Sequence, residues 1–253
     1  MGQASRQVTY PKRRASAPRA PKISRAWLVS IAVVAVALVA GGVVIATMFT
    51  GSGGSSANPA ALMGVADNEA LFAGIPQHGN VLGSPKAPVT LVEYADLQCP
   101  YCGEFARNAL PPLVNDYVRT GKVKLVFRGL AFVGPESQTA LRTVVAAGEQ
   151  NRLWNVAHLI YSNQGPENTG WVNDAYLRSV AGAAGADVAR LESRTGSADV
   201  NGTIVRDANS ATADAVSSTP SFLVGHSGGT LEPLQASTLD AAAFRPALQA
   251  LLG

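Results

Sequence analysis

Apolar and polar positions alternate on several different periods along this chain. From residue 27 to 49 there is no charged side chain over 23 positions. At about 1.5 Å per residue, a helix of that length crosses the hydrocarbon of a bilayer, so one transmembrane helix is expected over residues 26–50. A Gly/Ser-rich stretch at 51–57 follows, and residues 51–80 read as a flexible linker with little pattern. The pattern sharpens from residue 81. Val89, Leu91, Val92 and Tyr94 form a β-prone run between Pro88 and Asp96, as in a buried strand. A helix is expected next, kinked or split at Pro111-Pro112, where two donor N–H groups are missing. Gly121-Lys122 ends that element, and residues 123–128 read as a second strand.

Residues 135–215 follow a helical period. Ala140, Leu141, Val144, Val145 and Gly148 recur at helix spacing, as do Leu153, Val156, Ala157 and Ile160, and then Tyr176, Leu177, Val180 and Ala181. Thr169-Gly170 and Asp187 offer helix caps. Strands return at 221–224 and 230–234 around a Gly228-Gly229 turn. A last amphipathic helix, 240–252, buries Phe244, Leu248, Leu251 and Leu252. The expected class is α/β. A strand–helix–strand unit is separated from a hairpin and helix by a helical insertion at about 135–215, within a domain spanning 81–253.

Charge changes this picture at one end only. The net charge of +3 hides an asymmetry: seven of the twenty Lys and Arg residues precede Trp27, where no acid occurs. The rest of the chain carries an acidic excess. The basic character belongs to a tail (1–25), too polar to bury a core, and does not point to nucleic acid. A positive flank before the apolar run places the N-terminus in the cytoplasm and the domain outside, at the cell membrane. The tail's cations suit anionic lipid in the bilayer. A cleaved signal peptide has a shorter apolar region, about 7–15 residues, so an uncleaved anchor is expected.

The chain's two cysteines are Cys99 and Cys102, in Cys-Pro-Tyr-Cys directly after the first long strand. Pro100 suits the first turn of a helix. Cys99 then sits at or beside the N-cap, where free amides and the helix dipole stabilise a thiolate. Cys102 lies one turn on, within reach of a mixed disulfide at Cys99. A zinc site needs four ligands, and His78, His158 and His226 are scattered, so no metal is expected. A structural disulfide closing so short a loop would constrain the unfolded chain little.

With these residues the chain resembles the DsbA-like thiol:disulfide oxidoreductases of the thioredoxin superfamily, in a membrane-anchored form. Besides the Cys-Pro-Tyr-Cys motif, Glu93 stands six residues before Cys99, and Thr219-Pro220 opens a late strand. The resemblance implies a thioredoxin-like fold with a helical insertion and no cofactor. It makes Cys99 and Cys102 a redox-active disulfide. Glu93 becomes a buried acid that relays protons to and from Cys102. A cis bond at Pro220 and the backbone of Thr219 would bind an extended substrate, with Pro100 and Tyr101 contacting it. The implied activity is introduction of disulfides into envelope or secreted proteins, with a quinone-linked membrane partner as reoxidant.

Tyr101 departs from the strongly oxidising branch, which has histidine there, so a milder oxidant is expected. Glutaredoxins share Cys-Pro-Tyr-Cys but have far fewer residues before the proline than the 116 between Cys102 and Thr219. Two other readings remain open. One is a reductase or isomerase, although 51–80 is too short for the dimerisation domain of the isomerases. The other is a non-catalytic binding or chaperone module. Asp96 and Gln98 flank the motif as either a rim or a plain polar turn, and 163–168 reads as a polar loop.

Overall fold

The computed structural model describes residues 62–253. The expected basic tail, the membrane helix and the Gly/Ser-rich start of the linker lie outside the described residues. Among the described residues, no helix is long and apolar enough to cross a membrane.

One six-stranded sheet organises the described residues, in the order β1-β2-β4-β3-β5-β6. β3 (Val89–Ala95) is central and buried at all seven positions, which is why its sequence is a continuous apolar run. It pairs in parallel with β4 (Val123–Gly129) and antiparallel with β5 (Ser221–His226). β6 (Glu232–Leu234) extends the sheet at one edge and is shorter than the expected 230–234 strand. Alternation along β3 sorts its side chains. Val89, Leu91 and Ala95 join the main core, which also holds both cysteines. Val92 and Tyr94 join a smaller cluster with Leu130, Ala211 and Leu223. Glu93 alternates with Val92 and Tyr94, so it faces the side of the cysteines.

The folded unit begins earlier than residue 81, which corrects the linker expected over 51–80. α1 (Val65–Phe72) buries Asn68, Leu71 and Phe72, and Ile75 is buried behind it. β1 (Gln77–His78) then pairs with β2 (Val81–Leu82). This helix is held from far along the chain. Arg119 donates to the carbonyls of Leu71 and Ala73, each at 2.8 Å, and Asn68 bonds the Asn155 carbonyl and His158. A helix whose partners are remote and polar has little periodicity of its own to read.

The active-site helix α2 (Pro100–Asn108) breaks where two prolines were expected to break it. α3 (Leu110–Leu113) starts anew and runs into a π-helical turn, Val114–Val118. The insertion comprises α4 (Pro135–Gly148), α5 (Leu153–Ser162), α6 (Asp174–Ala183), α7 (Val188–Arg194) and α8 (Ala198–Ala213). Asp187 caps α7 as expected. Asn173, rather than Thr169-Gly170, caps α6 by accepting from the Tyr176 amide. α9 (Ala241–Leu252) closes the fold, with Phe244 packed on Phe105 and Phe222.

Candidate active site

The C-terminal end of β3 leads through one tight turn into α2, and Asp96 makes that turn rigid. Its buried carboxylate accepts the amides of Gln98 (2.8 Å), Phe132 (2.7 Å) and Val133 (2.9 Å), while its carbonyl accepts from Cys99 N (3.1 Å). The turn delivers Cys99 as the N-cap, in extended backbone at φ −65° and ψ 121°, with Pro100 in the first helical turn. Pro100 and Tyr101 are exposed, Tyr101 at 63%. Cys99 is 6% exposed and Cys102 is fully buried. Both are free thiols.

The two sulfurs differ in ionisation because their surroundings differ. A hydrogen bond from Cys102 pulls the Cys99 thiol down to about 6. Burial opposes this, while the Thr219 side chain and the amides of Cys102 and Tyr101 assist it. At pH 7, about nine-tenths of Cys99 is then thiolate. Burial holds Cys102 well above the usual thiol range, reinforced by its bond to Cys99 and by the negative charges of Cys99 and Glu93. The pair thus divides into an ionised sulfur that keeps a small exposure and a protonated one that is fully enclosed.

Glu93 is 4% exposed, and its Oε1 is a buried side-chain oxygen with no hydrogen-bond partner among the described residues. Burial first, and the charge of Cys99 second, push its carboxyl up to about 8. It is therefore mostly protonated at neutral pH. Thr219 and Pro220 are half-buried, and the bond between them is cis, as the resemblance implies. The Cys99 thiol donates to the Thr219 carbonyl at 3.3 Å. The fold therefore brings Cys99, Cys102, Glu93 and Thr219 together, with Pro100 and Tyr101 on the outer rim of the motif.

Several residues of this site carry no sequence signal. Tyr161, fully enclosed, donates to the Asp96 carbonyl at 3.2 Å. Gln98, expected as either a rim residue or a plain polar turn, is fully buried and bonds Ser137 Oγ and the backbone of Asn168, so it is part of the frame. On the other face of the sheet, Tyr94 Oη donates to Asp214 at 2.5 Å, and Arg128 bonds both groups. That triad anchors the segment leading to Thr219. His158 lies against Asn68, and no cluster of three or more His, Cys, Asp or Glu suited to a metal occurs among the described residues.

Oxidised BdbD from Bacillus subtilis has a similar structure, with TM-score 0.60 over 70% of this chain and 97% of that one, at 20% identity. That likeness establishes a thioredoxin-like fold with a helical insertion. A probable disulfide bond formation protein D of Bacillus cereus is 29% identical over 147 residues, which is 56% of this chain and 68% of that protein. The Na(+)/H(+) antiporter NhaA 3 of Salinispora tropica is 33% identical over 172 residues, covering 66% of this chain. The chain spans only 25% of that antiporter's length. A family model described as thioredoxin matches residues 77–242. This chain belongs to the thioredoxin family.

Proposed function

We propose that the domain is a protein thiol:disulfide oxidoreductase that donates a Cys99–Cys102 disulfide to protein thiols outside the cytoplasm. The observation that carries this reading is the unequal pair: an N-cap Cys99 pulled down to about 6 beside a fully buried Cys102 pushed up. A good leaving thiolate makes a disulfide a better oxidant.

A substrate thiolate attacks Cys99 Sγ of the oxidised pair. A substrate–Cys99 bond forms, the Cys99–Cys102 bond breaks, and Cys102 leaves with the electron pair. Glu93, protonated at neutral pH, supplies the proton that the enclosed Cys102 sulfur takes up. A second substrate thiolate then attacks the substrate sulfur of the mixed disulfide. Cys99 departs as the thiolate its surroundings favour, the substrate leaves with a disulfide, and the enzyme is left as a dithiol. An extended substrate lies along Thr219 and Pro220, with Pro100 and Tyr101 against its other side.

Residues 26–50 anchor the chain in the cell membrane, the basic tail stays on the cytoplasmic side against anionic lipid, and a quinone-linked membrane protein reoxidises the dithiol. Tyr101 in place of an imidazolium makes it a milder oxidant than the histidine-bearing branch. Equilibration of the full chain with glutathione buffers tests the direction of electron flow. A reduction potential near about −120 to −180 mV supports disulfide donation, and one near about −230 to −270 mV overturns it in favour of a reductase.

A further inference from the structure

Gln164 follows the end of α5, 65 residues from Cys99 in sequence, yet its side-chain amide reaches the active-site turn. Nε2 donates to the carbonyls of Leu97 (3.1 Å) and Cys99 (3.0 Å). The Cys99 carbonyl also accepts the first helical bond of α2, from Gly103 N at 3.1 Å. Both lone pairs of this N-cap oxygen are therefore used, one by the helix and one by the insertion. Such a carbonyl has little freedom to rotate, and the peptide it belongs to carries Cys99.

Gly103, the residue after Cys102, is shaped to this contact. Its backbone is ordinary helix, so no positive φ calls for glycine. Space does: a Cβ there would lie 2.4 Å from Gln164 Oε1 and 2.7 Å from an Arg107 nitrogen. Glycine weakens a helix interior, so its presence in the second turn of α2 has a local reason. A reverse contact completes the arrangement. Gln98, fully buried, accepts the Asn168 amide at 2.8 Å and donates to Ser137 at 3.0 Å and to Asn168 Oδ1 at 3.3 Å. Each side of the junction sends a glutamine into the other.

We propose that Gln164, admitted by the absent side chain at Gly103, is a positioning residue for disulfide exchange. It holds the Cys99 carbonyl, and through it keeps the Cys99 sulfur aligned on the amides of Tyr101 and Cys102 and on Thr219. The insertion is thereby part of the redox machinery. The inference rests on the oxidoreductase reading above.

The test is the pH midpoint of Cys99 alkylation by iodoacetamide in the reduced full-length chain, with the rate of exchange with oxidised glutathione measured in parallel. Gln164→Ala removes the donors and leaves room at Gly103; Gln164→Met removes the donors but keeps the bulk, as a folded control. Gly103→Ala pushes the amide away. Each single variant is expected to raise the midpoint by about one pH unit. In a double-mutant cycle, Gly103→Ala is expected to have no further effect once Gln164 is Ala. Midpoints equal to wild type in both Gln164 variants, or additive shifts in the double variant, overturn the proposal. Wild-type chain that fails to exchange with glutathione at all sinks the underlying oxidoreductase reading instead.

Discussion

The Cys99 sulfur lies 3.3 Å from the Thr219 carbonyl, joining residues 120 apart in the chain. The attacked atom and the backbone proposed to align a substrate are thus neighbours. In the thiol form Cys99 donates to that carbonyl. In the thiolate form the donor is gone, and the Cys102 thiol first, then the Thr219 side chain and the amides of Cys102 and Tyr101, hold the charge. One sulfur therefore faces two sets of partners, and its charge selects between them.

From this division of labour the two cysteine variants should differ in kind. Cys99→Ser should abolish exchange, because no accessible sulfur remains. Cys102→Ser should keep the reactive Cys99 and lose the resolving thiol, so substrates accumulate as mixed disulfides. Non-reducing gels of cells expressing each variant decide this. Thiol-sensitive adducts are expected for Cys102→Ser alone, and their absence there would contradict the mechanism.

Glu93 makes the protein's stability depend on pH. Its folded carboxyl sits near 8, above the ordinary value of 4.5. A raised group stabilises fully below its unfolded pKa and loses that contribution as pH rises toward 8. At pH 7 the unfolded carboxylate is ionised and the buried one is not, which costs up to about 3 kcal/mol. In the reduced chain Cys99 opposes this. Its folded value near 6 lies below the ordinary 9, so its contribution grows as pH rises from 6 to 9. In the oxidised chain Cys99 cannot titrate and burial alone holds Glu93 up; Asp207, raised by burial to about 6, adds to the fall at the acid end, while His158, lowered by burial to about 4, opposes it there. Urea unfolding of oxidised protein between pH 5 and 8 should show stability falling with pH. Glu93→Gln should flatten that slope and slow release of substrate from Cys99. An unchanged slope would remove Glu93 from the account.

The Tyr94–Asp214 bond holds the segment before Thr219 from the opposite face of the sheet. Tyr94 is buried, and burial with the nearby Asp214 carboxylate pushes its hydroxyl up to about 12. Tyr94→Phe leaves the aromatic packing and removes the donor. It should cost about 1.5–3 kcal/mol, the usual range for a hydrogen bond to a charged acceptor. Exchange with glutathione should change little, while a peptide substrate that uses Thr219 should lose affinity. Equal losses for both substrates would place the effect on the fold instead.

What was legible in the sequence is what short-range chemistry encodes. Pro100 after Cys99 marks a helix start, Pro111-Pro112 marks a break, and the run from Val89 to Tyr94 marks a strand buried on both faces. The Tyr94 hydroxyl was not legible, since its partner arrives 120 residues later. Nor were Gln98, Ser137, Gln164 and Asn168: each is a common polar residue in a turn, loop or helix, and only the fold reveals that they bond one another or the active-site turn. Asn68, buried in α1, even reads against the helix it helps to fix.

A domain beginning at residue 81 would lack Leu71, Phe72 and Ile75, each at most 8% exposed, and would leave Asn155 and His158 without Asn68. Burying a large apolar side chain contributes about 1.5–3 kcal/mol, and an abandoned buried polar group costs about 1–3 kcal/mol. Against a typical total of about 5–15 kcal/mol, losing three such side chains and their polar partners is severe. A chain starting at residue 62 should therefore unfold cooperatively with a normal urea midpoint, and one starting at 81 should be largely unfolded or aggregate. His158 gives a local readout. Burial first holds its imidazole down to about 4. Without α1 it should titrate nearer its ordinary 6.5, which NMR follows directly in any part of the shortened chain that stays folded. Equal stability of the two chains would mean that α1 only rests on a core complete without it.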